Sequence, residues 1–211
     1  MLAPKLLKRM FKRNRIYTSI ALAIAIILLF FDIYQFHAPS SLSLTLFSLS
    51  PILFTIIFSN LISLLFIDDR RSDLLEFLIA EGYSPKYLFS SYILAYLIIA
   101  IPFTAIISII YLSIYHHLFY ALIVFLIALG ISWFSVPLSL YVSYFQRISP
   151  NGRSSVGSII VLILFIIYLQ LPSITPRIIL ASLIMGSTTT VIALILTITL
   201  TMSIKPDKLI S

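Results

Sequence analysis

Five of the seven carboxylates in the chain stand close together: Asp68, Asp69, Asp73, Glu76 and Glu81, interleaved with Arg70, Arg71 and Ser72. Elsewhere, groups able to do chemistry are sparse. Asp32 stands alone in an apolar run, Asn60 and Gln170 are isolated amides, and His116-His117 form an adjacent pair. No cysteine is present, so disulfides, thiolate metal sites and thiol nucleophiles are excluded. The two histidines lack a further ligand nearby in sequence, which reads as a solvated turn and not a metal centre. An enzyme would need a nucleophile with its base, a metal set or convergent acids in a cleft, and the polar residues within the apolar segments are too scattered for that. No G-x-x-x-x-G-K-S/T phosphate loop occurs among only five glycines. The chain is therefore read as no enzyme, with no catalytic, cofactor or metal residues of its own.

The segments that must position these residues are apolar. Hydrophobic residues make up 61% of the 211 and charged residues 10%, a composition that would leave a water-facing surface uncovered and so calls for lipid around it. At about 1.5 Å per residue, roughly 20 apolar residues cross the hydrocarbon. On that measure six spans are expected, near 16–36, 43–67, 87–114, 118–145, 157–171 and 187–204. The stretch 178–185 is too short to cross. Bracketed by Pro172, Pro176 and Gly186, it reads as a re-entrant outer segment before the last span. The expected fold class is an all-α, polytopic six-helix membrane bundle.

Charge placement orients the bundle, because lysine and arginine are retained on the cytoplasmic side. Lys5, Lys8, Arg9, Lys12, Arg13 and Arg15 precede the first span; Arg70, Arg71 and Lys86 follow the second; Arg147 and Arg153 follow the fourth; Lys205 and Lys208 follow the sixth. Only Arg177 falls outside. Both termini are thus expected in the cytoplasm of a multi-pass plasma-membrane protein. The basic excess is topological, and nucleic acid is not an expected partner. Residues 1–15 project as an amphipathic interfacial helix, with Leu2, Leu6, Leu7, Met10 and Phe11 on one side and Lys5, Lys8, Arg9 and Lys12 on the other; a basic tail that only fixes orientation is the plainer alternative. The membrane domain is 16–204 and a cytoplasmic tail 205–211.

The long polar break is expected to hold a helix at about 68–82, lying along the membrane. On it Asp69, Asp73 and Glu76 share one face, and Leu74, Leu75, Phe77, Leu78 and Ile79 cover the rest. Gly82 supplies its stop and Ser84-Pro85 the start of the third span. Pro51, Pro102, Pro137 and Gly130 are read as kinks within spans. Asp32, the acid inside a span, is either interfacial and solvated or part of a pathway. Asn60 is the other pathway candidate.

Here the chain resembles the type-2 permease subunits of ABC exporters. The resemblance rests on Arg71-Ser72-Asp73-Leu74-Leu75-Glu76-Phe77-Leu78-Ile79-Ala80, followed by Gly82-Tyr83-Ser84-Pro85-Lys86, set between spans two and three. It extends to the basic helix before span one and the outer segment before span six. Ser72-Asp73 replaces the glycine usual before the Leu-Glu pair, and the outer loops are very short. The resemblance implies a coupling helix, Asp69, Arg70, Arg71, Asp73, Leu74, Glu76 and Phe77, that docks on a separate ABC ATPase subunit. ATP and Mg would be bound by that partner. It also implies a second permease subunit, identical or related. The alternative of another class is a non-transporting membrane scaffold or assembly subunit. A secondary carrier is disfavoured, since neither inverted repeats nor charges at mid-membrane are found.

Overall fold

The computed structural model describes residues 2–35, 41–145, 156–175 and 177–204, and every regular element among them is an α-helix. In chain order these are α1 (Ala3–Arg13), α2 (Arg15–Gln35), α3 (Ser41–Arg71), α4 (Leu74–Ala80), α5 (Pro85–Tyr115), α6 (Leu118–Phe145), α7 (Val156–Ile174) and α8 (Ile178–Ser203). Among the described residues four stretches are long and apolar enough to cross a membrane: Ser48–Arg71, Pro85–Tyr115, Leu118–Ser143 and Ile178–Ser203. Arg147, Arg153, Lys205, Lys208 and Pro176 lie outside the described residues.

Local chemistry explains most of the boundaries. Pro4 opens α1, and Ser84-Pro85 opens α5, the Ser84 hydroxyl accepting the Tyr87 N–H at 3.2 Å. After α4 the Gly82 N–H bonds the Ile79 carbonyl at 2.9 Å and the Tyr83 N–H bonds that of Leu78 at 3.1 Å. This double bond pattern needs a left-handed residue between, supplied by Gly82 at φ +93°. His116 also takes the left-handed conformation, φ 56°, at the end of α5, where its N–H bonds the Leu112 carbonyl at 2.8 Å, and with His117 it makes the whole connection to α6. Pro51, Pro102, Pro137 and Pro172 all lie inside continuous helices.

The helices run up and down between two ends. At one end Arg9 of α1 meets Asp69 of α3, and Arg70 meets the Ser143 carbonyl of α6. Ile204, just past α8, is buried there in a core with Leu6, Met10, Leu65, Phe66 and Phe89. At the other end Ser48 of α3 bonds Tyr168 of α7, and a second core gathers Ile52, Ile107, Tyr111 and Val161, with Leu29 of α2 packed on it. The start of α1 and the end of α8 therefore share one end, and α2 with α3, α5 with α6, and α7 with α8 form antiparallel pairs. α6 is central, packing on α3, α5, α7 and α8.

Hydroxyls join the helices inside this core. Tyr96 of α5 pairs with Ser132 of α6, and Thr55 of α3 donates to the Ala128 carbonyl at 3.1 Å. Such bonds contribute roughly 0.6 kcal/mol each on average in bundles, so their main effect is to fix register. Asn60 is half-buried on α3 and Gln170 exposed on α7.

The expectation for the outer segment is corrected. The stretch 178–185 is not a separate re-entrant segment but the opening turns of α8, which runs unbroken through Gly186. Gly186 there serves close packing: a methyl at its Cα would come within 2.8 Å of Ile127 Cγ1 and 3.0 Å of the Ile127 nitrogen on α6. The polar run that follows does not interrupt the helix, because Ser187, Thr188, Thr189 and Thr190 each return a hydroxyl bond, 2.6 to 2.7 Å long, to the carbonyl four residues earlier. α7 likewise runs past the expected boundary, through Pro172 to Ile174.

Candidate functional site

The conspicuous polar assembly lies at the end shared by α1, α4 and the C-termini of α3 and α6. α3 continues to Arg71, past the boundary expected for the second span, and carries Asp68 to Arg71 with it. Ser72 and Asp73 then make a sharp turn in which Asp73 takes the left-handed conformation, φ 54° and ψ 14°. Aspartate tolerates that region better than most residues. α4 starts afresh at Leu74. The single helix expected over 68–82 is thus replaced by a helix end, a turn and a seven-residue helix. The common face of Asp69, Asp73 and Glu76 does not exist.

Asp69 shows why. Its side chain is fully buried, and Arg9 approaches it with both terminal nitrogens, Nη2 to Oδ1 at 2.7 Å and Nη1 to Oδ2 at 3.1 Å. The Tyr92 hydroxyl of α5 donates to Oδ2 at 2.6 Å. A carboxylate out of water requires this kind of full satisfaction, and a bidentate guanidinium with a phenol provides it. Arg13 reaches Asp68 at 3.4 Å, and the Leu2 N–H donates to the Tyr87 hydroxyl at 3.2 Å. Ala3, Leu6 and Met10 are buried beneath. Residues 3–13 are therefore a helix clamped to α3 and α5, and Asp69 belongs to the clamp instead of a docking face.

Arg70 is also engaged inward, its guanidinium donating to the Ser143 carbonyl near the C-terminus of α6, where free carbonyls favour a cation. Arg71 and Leu74 are half-buried beside the turn. The surface of α4 is different. Leu75, 1% exposed, anchors it in the core with Ile79 packed alongside. Glu76, Phe77, Ala80 and Glu81 point away, as does Asp73 in the turn, and Phe77 is 59% exposed. Phe77 stands clear of the bundle because seven residues make only two turns, and Leu75 and Ile79 fill the protein-facing side. Tyr83 and Tyr87 stack just beyond, ring centres 5.9 Å apart.

Of the seven residues expected to form one coupling surface, Asp73, Glu76 and Phe77 are exposed together, while Asp69 and Arg70 hold helices to one another. The Asp32 side chain lies outside the described residues, and Asn60 is on α3, well inside it. Sequence reasoning missed Arg9, Tyr92 and Tyr87. The available signal was that an acid directly beside an apolar span needs a partner. No rule of local spacing could have named an arginine 60 residues away. Among the described residues no group of three His, Cys, Asp or Glu is placed to hold a metal ion. Comparison with known proteins finds no matching family model, no matching curated protein and no matching solved structure.

Proposed function

We propose that the chain is the membrane permease subunit of an ATP-driven ABC exporter, coupled to a separate ATPase subunit that binds ATP and Mg. A second permease subunit, identical or related, completes the transporter, and the substrate path lies between the two. Each subunit spans the plasma membrane six times, α2, α3, α5, α6, α7 and α8, with both termini in the cytoplasm. Support for six crossings comes from the up-and-down course of those helices, which returns Arg9, Asp69, Ser143 and Ile204 to one end.

The observation that carries this reading is the form of α4. It is a short helix between two long apolar ones, fixed to the bundle by Leu75 and Ile79, and it presents Glu76, Phe77 and Glu81 outward. An exposed phenylalanine ringed by carboxylates on an otherwise anchored helix is suited to a cleft with an apolar floor and a basic rim. Because α4 is joined to α3 by a strained turn and to α5 by a glycine stop, a push on it is passed to two long helices at once.

The test is co-purification with an ABC ATPase subunit encoded beside this chain. Replacing Glu76→Lys and Phe77→Asp together is expected to abolish the association while leaving thermal unfolding unchanged. Association kept at wild-type strength in that variant would sink the proposal.

A further inference from the structure

The clamp divides the basic residues of α1 into two sets. Arg9 and Arg13 are taken up by Asp69 and Asp68. Lys5, Lys8 and Lys12 are exposed. At 100° per residue those three lysines fall within about 60° of one another. They point away from the buried arc of Ala3, Leu6 and Met10. Next to them, on the side away from the arginines, Phe11 is 40% exposed, and Ile16 and Tyr17 at the start of α2 are exposed as well. Projection of the sequence alone puts Arg9 with the lysines on a single charged face; the pairing with Asp69 separates it from them.

We infer that Lys5, Lys8 and Lys12 form a preorganised binding face for the headgroups of anionic phospholipids in the leaflet at this end of the bundle. The α1 helix is held at the level where α3 ends and α5 begins, by Arg9 on Asp69 and Leu2 on Tyr87, so the lysines occupy fixed positions at the edge of the long apolar helices. Lysine gives compact, mobile charges suited to phosphate. Phe11, flanking the lysines on α1, and the exposed Ile16 and Tyr17 at the start of α2 offer apolar and aromatic contact, which a lipid surface satisfies and a purely acidic protein surface does not. The two arginines are engaged by carboxylates, Arg9 with the buried Asp69 and Arg13 with Asp68, which leaves the three lysines as the uncompensated charge of α1. This inference does not depend on the chain working with an ATPase.

The experiment uses the full-length protein in neutral detergent mixed with equimolar phosphatidylcholine and phosphatidylglycerol, with mass spectrometry of the lipid retained after purification. Wild type is expected to retain phosphatidylglycerol preferentially, and added salt to weaken the preference. The triple variant K5Q/K8Q/K12Q should lose it by about a hundredfold, since each of three lysines near an anionic surface is worth roughly fivefold. K5R/K8R/K12R should keep it, and all three proteins should unfold at the same temperature in lipid-free detergent. Equal retention of the two lipids by wild type, or an undiminished preference in the glutamine variant, would overturn the inference. So would a glutamine variant that keeps its phosphatidylglycerol and loses a co-purifying protein, because the lysines would then serve an acidic protein surface.

Discussion

Asp69 is fully buried, whereas its partner Arg9 keeps 43% of its side-chain surface in solvent. The asymmetry decides how each substitution should behave. Arg9→Gln leaves a buried carboxylate with Tyr92 alone, and breaking a buried pair from one side costs about 3 kcal/mol or more. Tyr92→Phe removes a single bond to the same charge, a loss of about 2 kcal/mol. Asp69→Asn takes away the charge that needs matching and leaves Arg9 free to turn to water. The double variant R9Q/D69N is therefore expected to be more stable than R9Q alone, although it carries one more substitution. Thermal unfolding of the four variants in neutral detergent measures the order. If R9Q/D69N were the least stable, the buried charge would not be what makes the pair necessary.

At the scale of elements, α4 combines two separable duties. Leu75 holds it to the core formed by Leu6, Met10, Phe66 and Phe89, so Leu75→Ala should lower stability by about 2 to 5 kcal/mol, as for other large-to-small changes in a packed interior. Phe77 touches no comparable core, and Phe77→Ala should leave unfolding unchanged. If Phe77→Ala destabilised the protein as much as Leu75→Ala, α4 would be packed on both sides and could not present a face to another subunit. α1 divides in the same manner, with one arc for the bundle and one outward. The close approach of α6 and α8 shows the opposite case, a contact with no outward duty. At Gly130 a methyl would fall 2.6 Å from the Thr190 hydroxyl and 2.9 Å from the Gly186 carbonyl, so backbone meets backbone along that seam.

For the whole molecule, the up-and-down course makes a prediction about sides. The natural absence of cysteine allows single cysteines to be introduced without background. Lys8→Cys and Glu76→Cys, both at exposed positions, should react with a membrane-impermeant maleimide from one side only. His117→Cys and Ser173→Cys, also exposed, should react only from the other. Labelling of Ser173→Cys from the same side as Glu76→Cys would mean that α7 does not cross, and the six-span layout would fail.

The sequence by itself determined that the chain is helical and lipid-suited, since composition and segment length depend only on which residues follow one another. It also determined the stop and start at Gly82, Ser84 and Pro85, and the tight turn at His116-His117, which are properties of a few adjacent residues. Tertiary structure decided where helices cross polar or glycine-bearing stretches. Gly186 looked like a boundary because glycine is a poor helix former, yet it sits mid-helix because α6 needs the room. Asp69 looked like part of an exposed acidic face because it lies four residues from Asp73, yet Arg9 and Tyr92 draw it inward and leave the turn to form after Arg71. Both differences have one physical source. Burial and charge matching reward contacts between residues far apart in the chain, and only the folded bundle brings those residues together.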